Sequence, residues 1–88
     1  MMKPAPTRAQ RTSGQSLRSV LADNLRAYRK SKGISQEELA SRCGLHRTYI
    51  GSVERQERNV TLGTLEVLAD ALGTNVPDML TKRVRHGR

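Results

Sequence analysis

Apolar residues recur every three or four positions along most of the chain, which is the spacing of one buried stripe on an α-helix. The first such run covers residues 17–32 and is followed by Gly33, a residue suited to a helix C-terminal cap. A second run starts after Ser35, which stands three residues before Glu38 in the pattern of a capping box, and it stops just before Gly44. The pattern therefore predicts two amphipathic helices separated by a tight turn.

The same spacing predicts three more helices in the second half of the chain. One runs from Arg47 to about Gln56, and the next is capped by Thr61 and extends to about Leu72. Pro77 suits the first turn of a short fifth helix, over residues 77–81. No segment shows the strict alternation of a half-buried strand. We therefore expect an all-α fold, a compact bundle of five short helices.

The second and third predicted helices are joined by Gly44-Leu45-His46 and their neighbours. This is the spacing of a helix-turn-helix, in which the second helix enters the major groove of DNA. The outward residues of that helix are predicted to be Arg47, Thr48, Tyr49, Gly51, Ser52 and Arg55. Two short helices separated by a glycine can also be a purely structural turn, so the spacing leaves that alternative open.

Composition and charge narrow the class of protein. The chain has 88 residues, 35% of them hydrophobic, with no Trp or Phe, so it has room for one small domain whose stability dimerisation would increase. Its net charge of +8 favours a polyanionic partner or an anionic membrane surface. We expect a flexible basic arm at residues 1–16, a folded domain at 17–81 and a basic tail at 82–88. The alternative for the two ends is solubility alone.

Other classes of function find no support in the residues. Cys43 is the single cysteine, so no intrachain disulfide forms, and neither an apolar run of membrane length nor a secretory signal is visible. The two histidines, His46 and His86, make no metal constellation, and no phosphate loop or catalytic set is present. We therefore expect a cytoplasmic protein that is not an enzyme, without cofactor, metal, membrane contact or small-molecule ligand.

Several spaced motifs together resemble one family. Leu25-Arg26, Arg29, the run from Gly33 to Ala40, Gly44-Leu45, Tyr49-Ile50 and Val53-Glu54-Arg55 resemble the phage-repressor (XRE-type) helix-turn-helix family, over about residues 21–80. Residues 46–50 and 58–62 are most similar to the controller proteins of restriction–modification systems. The resemblance implies a lambda-repressor-like DNA-binding domain. It also implies a transcriptional regulator that binds double-stranded DNA sequence-specifically, as a homodimer on a near-palindromic operator.

The resemblance also implies roles for individual residues. The positions that match base-reading residues are Arg47, Thr48, Tyr49 and Ser52; those that match phosphate-contacting residues are Gln36, Arg55, Arg58 and Asn59; Arg29 and Glu54 match a buried ion pair. The chemistry agrees for Arg47, because an arginine side chain can donate two hydrogen bonds to guanine, at O6 and N7. Two residues depart from the family pattern: His46 is a weak helix cap, and Gly51 costs a helix interior about 1 kcal/mol relative to alanine.

Each role has a plainer alternative. Arg47 and Arg58 can be solvated surface charges, and Tyr49 can pack at the helix edge. The apolar residues that exceed the needs of the fourth helix predict a dimer interface: Val67, Val76, Met79, Leu80 and Val84. Two other functions compete with the regulator. One is an antitoxin-type module that binds DNA and a partner protein, and the other is non-specific binding through the basic ends.

Overall fold

The computed structural model describes residues 16–82, so the arm at 1–15, the end of the tail at 83–88 and the predicted interface residue Val84 lie outside it. Within that range the chain forms five α-helices and no strand: α1 (Leu17–Ser31), α2 (Gln36–Cys43), α3 (Arg47–Glu54), α4 (Leu62–Ala71) and α5 (Val76–Met79). The predicted all-α bundle is confirmed. None of these five helices is long and apolar enough to span a bilayer.

Each helix begins at a residue whose side chain accepts a backbone N–H from the first turn. The caps are Ser16, Ser35, His46, Thr61 and Asn75. Ser35 Oγ accepts from the Glu38 amide at 2.9 Å, which is one half of the predicted capping box. The Glu38 carboxylate instead accepts from Arg42 Nη2 at 2.8 Å, one helical turn further on. The start of each of these five helices is therefore fixed by a capping residue in the adjacent sequence.

The two ends of α3 are set by residues in the left-handed conformation. Gly44, at φ 69°, lets the chain turn sharply out of α2, so that only Leu45 and His46 separate it from α3. At the other end Gln56 has φ 65°. The Gln56 amide donates to Val53 O and the Glu57 amide to Ser52 O, which is a Schellman cap without glycine. The helix consequently ends at Glu54, two residues earlier than the sequence predicts.

The core is aliphatic and lies where all five helices meet. Its fully buried members are Leu25, Leu39, Ile50, Leu68, Leu72 and Met79. α3 packs against α2 and α1, while α5 packs against α1 and α4. Met79 has no exposed surface, so its predicted place in a dimer interface is wrong. Pro77 and Asp78 are the exposed residues of α5, while Met79 points into the core.

A buried asparagine holds α5 in that position. Asn24, on α1, is 1% exposed, and its Nδ2 donates to Met79 O at 2.8 Å and to Thr81 O at 2.9 Å. These carbonyls belong to the end of α5, where the helix itself supplies no partner. Every buried side-chain nitrogen and oxygen of residues 16–82 has a hydrogen-bond partner. Asn24 thus acts as a C-terminal cap supplied by another helix, a role that the apolar pattern does not predict.

We expect Asn24→Leu, which keeps the volume and removes the donors, to lower the free energy of unfolding by about 1–3 kcal/mol, because it leaves carbonyls unpaired. Urea unfolding followed by circular dichroism measures this change. The same substitution at exposed Asn59 is the control and should alter stability by about 0.5 kcal/mol or less. Equal midpoints for the two variants would contradict the role of Asn24.

Candidate nucleic-acid interface

One buried carboxylate joins the first three helices. Glu54, the last residue of α3, is 6% exposed. It accepts from Arg29 Nε at 2.8 Å and Nη2 at 3.1 Å, both from α1, and from Gln36 Nε2 at 3.0 Å, from the start of α2. Arg26 Nη2 donates to the backbone oxygen of Glu54 at 2.8 Å. The predicted Arg29–Glu54 pair is confirmed, and it is the centre of a larger network.

The electrostatics of Glu54 follow from these contacts. Burial alone raises the pKa of a carboxyl group, because it removes the charged form from water. The hydrogen bonds from Arg29 and Gln36, together with the positive charges of Arg29 and Arg26, outweigh burial and hold the pKa of Glu54 below its usual range. Glu54 is therefore ionised at neutral pH and holds α1, α2 and α3 in one arrangement.

This arrangement exposes only the first turn of α3. Arg47 and Thr48 are exposed, whereas every residue from Ile50 to Glu54 is buried. The exposed residues line a cleft of about 500 Å³ between α2 and α3. The cleft is formed by Arg29, Ser35, Gln36, Glu37, Arg47, Thr48, Gly51 and Arg55. It brings together two of the predicted base-reading residues and two of the predicted phosphate contacts.

The floor of this cleft explains the glycine inside α3. A Cβ on Gly51 would lie 3.2 Å from Arg55 Nη1 and 3.4 Å from Gln36 Oε1. Both neighbours are the ends of side chains that cross the helix at that point. Gly51 therefore lets Gln36 lie close against α3 and reach Glu54. The intrinsic cost of glycine in a helix is offset by the closeness of α2 and α3 at this crossing.

A second cluster covers the far side of α3. The Arg58 guanidinium lies 5.1 Å from the centre of the Tyr49 ring, and its Nε donates to Ser52 Oγ at 3.0 Å. The Ser52 hydroxyl donates in turn to Tyr49 O at 2.8 Å. Ser52 is 7% exposed and both its donor and its acceptor are used within the protein. We therefore remove Ser52 from the base-reading set, because a side chain that meets a base edge has to be accessible.

The remaining predicted phosphate contacts are exposed. Arg55 Nε and Nη2 donate to the Glu57 carboxylate at 3.1 and 3.2 Å, with both side chains more than half exposed. Such a surface pair contributes about 1 kcal/mol at most, so a phosphate can replace Glu57. Asn59 is exposed in the loop after Arg58. These side chains flank α3 without entering the core.

An apolar surface adjoins this loop. Leu17 and Leu62 are 63% and 70% exposed, and they line a cavity of about 510 Å³ together with Val60, Leu65 and Leu80. Arg58 and Asn59 stand at the rim of the same cavity. We call the surface formed by Leu17, Val60, Leu62 and Leu80 the Leu62 face. It contains one member of the predicted interface set, Leu80, and two leucines that the sequence analysis did not select.

The other predicted interface residues are dispersed. Val67 is 44% exposed on α4, and its backbone oxygen faces Cys43 Sγ at 4.0 Å. Val76 is half-buried against the core. Cys43 itself packs against the core, and burial raises the pKa of its thiol. Among residues 16–82, no three His, Cys, Asp or Glu side chains are close enough together to hold a metal ion.

Comparison with known proteins agrees with this geometry. Residues 25–79 match the helix-turn-helix family HTH_3. The chain is 60% identical over 67 residues to the control protein C.SmaI of Serratia marcescens, which covers 76% of this chain and 80% of that protein. The crystal structure of the hypothetical transcription factor NHTF from Neisseria superimposes with a TM-score of 0.76 at 44% identity, over 92% of this chain and 88% of that one.

A second structural relative contains DNA. The restriction–modification controller protein C.Esp1396I, crystallised as a tetramer in complex with its natural 35-base-pair operator, superimposes with a TM-score of 0.67. It is 34% identical, over 74% of this chain and 86% of that one.

We expect Arg29→Met to lower the free energy of unfolding by about 3–5 kcal/mol, because it leaves the Glu54 charge buried without its main partner. The matched control is Arg42→Met, which breaks the exposed Arg42–Glu38 pair and should cost about 1 kcal/mol or less. Chemical unfolding of both variants measures the difference. Losses of similar size would show that the Arg29–Glu54 pair contributes no more than a surface pair.

The lowered pKa of Glu54 predicts a pH dependence. A carboxylate whose pKa is lower in the folded state stabilises the fold above its unfolded pKa, and that stabilisation is lost as pH falls through the folded pKa. Stability of the protein should therefore fall below about pH 4.3, the value for an unfolded glutamate. Glu54→Gln should be less stable at pH 7 and should show a shallower acid limb in urea unfolding. An unchanged slope would rule out Glu54 as the source.

Proposed function

This chain belongs to the HTH_3 helix-turn-helix family, and we propose that it is a transcriptional regulator of the controller type, not an enzyme, that binds a near-palindromic operator as a homodimer. The observation that carries the proposal is the exposed first turn of α3 beside the start of α2. A helix presented in this way enters the major groove with its N-terminal residues against base edges. Every residue in the rest of α3, from Ile50 to Glu54, is buried against its own domain, so only this turn is available to DNA.

Base reading is assigned to the exposed end of α3. Arg47 has a free guanidinium fork of the kind that binds guanine O6 and N7. Thr48 presents a methyl group and a hydroxyl oxygen. Tyr49 is half-buried and covered by Arg58, so we assign it a contact through its exposed part alone. Arg47 and Thr48 therefore carry most of the sequence preference.

Phosphate contacts are assigned to both sides of that turn. Gln36 is the first residue of α2, where free amides and the helix dipole attract an anion. One N–H of its side-chain amide binds Glu54, and the second is available to a phosphate oxygen. Arg55 lies in the same cleft as Gln36, whereas Arg58 and Asn59 lie on the opposite side of α3. Gln36 donates a hydrogen bond to Glu54, the last residue of α3. This bond fixes the distance between the phosphate contact at Gln36 and the first turn of α3.

We assign the dimer contact to the Leu62 face. Leu17 and Leu62 expose large apolar side chains to water on this face, which is unfavourable for an isolated chain. A second copy of the chain would cover them. The face adjoins Arg58 and Asn59, so a dimer formed through it brings the proposed phosphate contacts of the two copies close to the contact. Val67 on α4 is the alternative contact.

We expect Arg47→Ala to weaken binding to a selected operator by about 1–3 kcal/mol and to relax the preference at one base pair, with little effect on random DNA. The operator is obtained by selection from a random DNA pool, and fluorescence anisotropy gives the affinities. Equal losses on selected and random DNA would contradict base reading.

Arg58→Ala should instead weaken binding to all sequences and reduce the slope of log K against log salt by about 0.9, the value for one phosphate contact. The two arginine variants control for each other, because both remove one positive charge beside α3. If neither variant changes affinity, the basic ends carry binding and the protein is a non-specific binder.

Leu62→Glu should convert the dimer to a monomer, because it places two like charges across an apolar contact. Val67→Glu is the matched control on the same helix and should leave the dimer intact. Sedimentation equilibrium at micromolar concentration distinguishes them. If Val67→Glu alone dissociates the dimer, the interface lies on the side of α4 that carries Val67. If the unsubstituted protein is a monomer, the proposed dimer is wrong.

A further inference from the structure

The cap of α3 holds the side chain of a base-reading residue as well as the helix. His46 Nδ1 lies 3.1 Å from the Thr48 backbone nitrogen and 2.8 Å from Thr48 Oγ1. Both side chains are exposed, and Thr48 lines the cleft between α2 and α3. The single ring nitrogen therefore contacts both polar groups of Thr48.

The chemistry of these groups fixes the direction of each hydrogen bond. A backbone N–H can only donate, so Nδ1 is the acceptor and the proton of the neutral ring is on Nε2. With no proton on Nδ1, the contact to Oγ1 is a hydrogen bond only if the Thr48 hydroxyl donates. The hydroxyl proton is thereby used within the protein, and Oγ1 retains only its capacity to accept.

We propose that His46 is a specificity-determining positioning residue, which makes Thr48 an acceptor toward DNA. The inference rests on the proposed function. In the major groove the donors are the N6 amino group of adenine and the N4 amino group of cytosine, while guanine and thymine present acceptors at the matching positions. Thr48 therefore favours adenine or cytosine at the base that it faces, and it selects against the oxygens of guanine and thymine.

A histidine gives this result where a hydroxyl cap would not. A serine or threonine cap both donates and accepts, so it leaves the direction of the Thr48 hydroxyl open. Neutral imidazole offers one acceptor with no proton on the same atom, as an asparagine Oδ1 does. The acceptor-only atom of the cap thus sets the polarity of the Thr48 hydroxyl.

The test is a base-preference profile, the affinity for all four base pairs at each operator position. Thr48→Val keeps the shape, removes the hydroxyl and identifies the base pair that Thr48 faces. At that pair we expect His46→Ala to reduce the preference for adenine or cytosine by about three- to tenfold, the effect of one hydrogen bond. His46→Asn should restore the preference, because its Oδ1 accepts in the same place.

A double variant separates positioning from capping. In the Thr48→Val background, His46→Ala should produce no further change in base preference, because the hydroxyl it orients is absent. Circular dichroism checks that each variant keeps its helices, and if His46→Ala frays α3, His46→Ser supplies a cap without fixing the direction of the Thr48 hydroxyl.

Three results would overturn the inference. They are an equal loss for all four base pairs in His46→Ala, an unchanged profile in Thr48→Val, or an additive effect in the double variant. If the unsubstituted protein itself shows no preference among DNA sequences, the proposed function fails, and this outcome is distinct from the other three.

Discussion

The placement of the reading helix depends on one buried negative charge. Glu54 lies at the end of α3 and is bound by Arg29 of α1 and Gln36 of α2, so a single carboxylate fixes three helices relative to one another. Loss of either partner would leave a buried charge without compensation, which is strongly destabilising. The three helices therefore keep this arrangement only while the whole network is intact. The charge gives orientation more than stability.

The same network divides α3 into two functional halves. Its last turn makes contacts only within the protein: Glu54 binds Arg29, and Ser52 binds Arg58. In its first turn Arg47 and Thr48 are exposed, and two polar groups at this end are held within the protein, Thr48 by His46 and Gln36 of α2 by Glu54. Side chains that are ordered before binding lose less conformational entropy on binding. The interface is therefore largely formed in the absence of DNA.

The sequence predicted the fold closely because its signals are local. Caps, glycines and the helical spacing of leucines each act within a few residues, and the five helices lie where these signals place them. The Arg29–Glu54 pair was accessible only through resemblance, since a contact across 25 residues has no local signature. Gln56 shows the limit: it adopts a conformation that glycine usually marks, and α3 therefore ends earlier than its pattern indicates. Met79 is buried against α1, which comes from a distant part of the chain, whereas Ser52 binds Arg58, which follows the turn at Gln56.

The split of α3 also separates two kinds of evolutionary change. With the proposed roles, substitutions at His46, Arg47 or Thr48 alter which bases are favoured, since these residues are exposed, whereas substitutions at the buried residues from Ile50 to Glu54 affect folding itself. Binding preference can therefore drift among descendants of one ancestor without a compensating change elsewhere in the domain. With the proposed roles, two such proteins in one cell regulate different genes once their residues at the start of this helix differ.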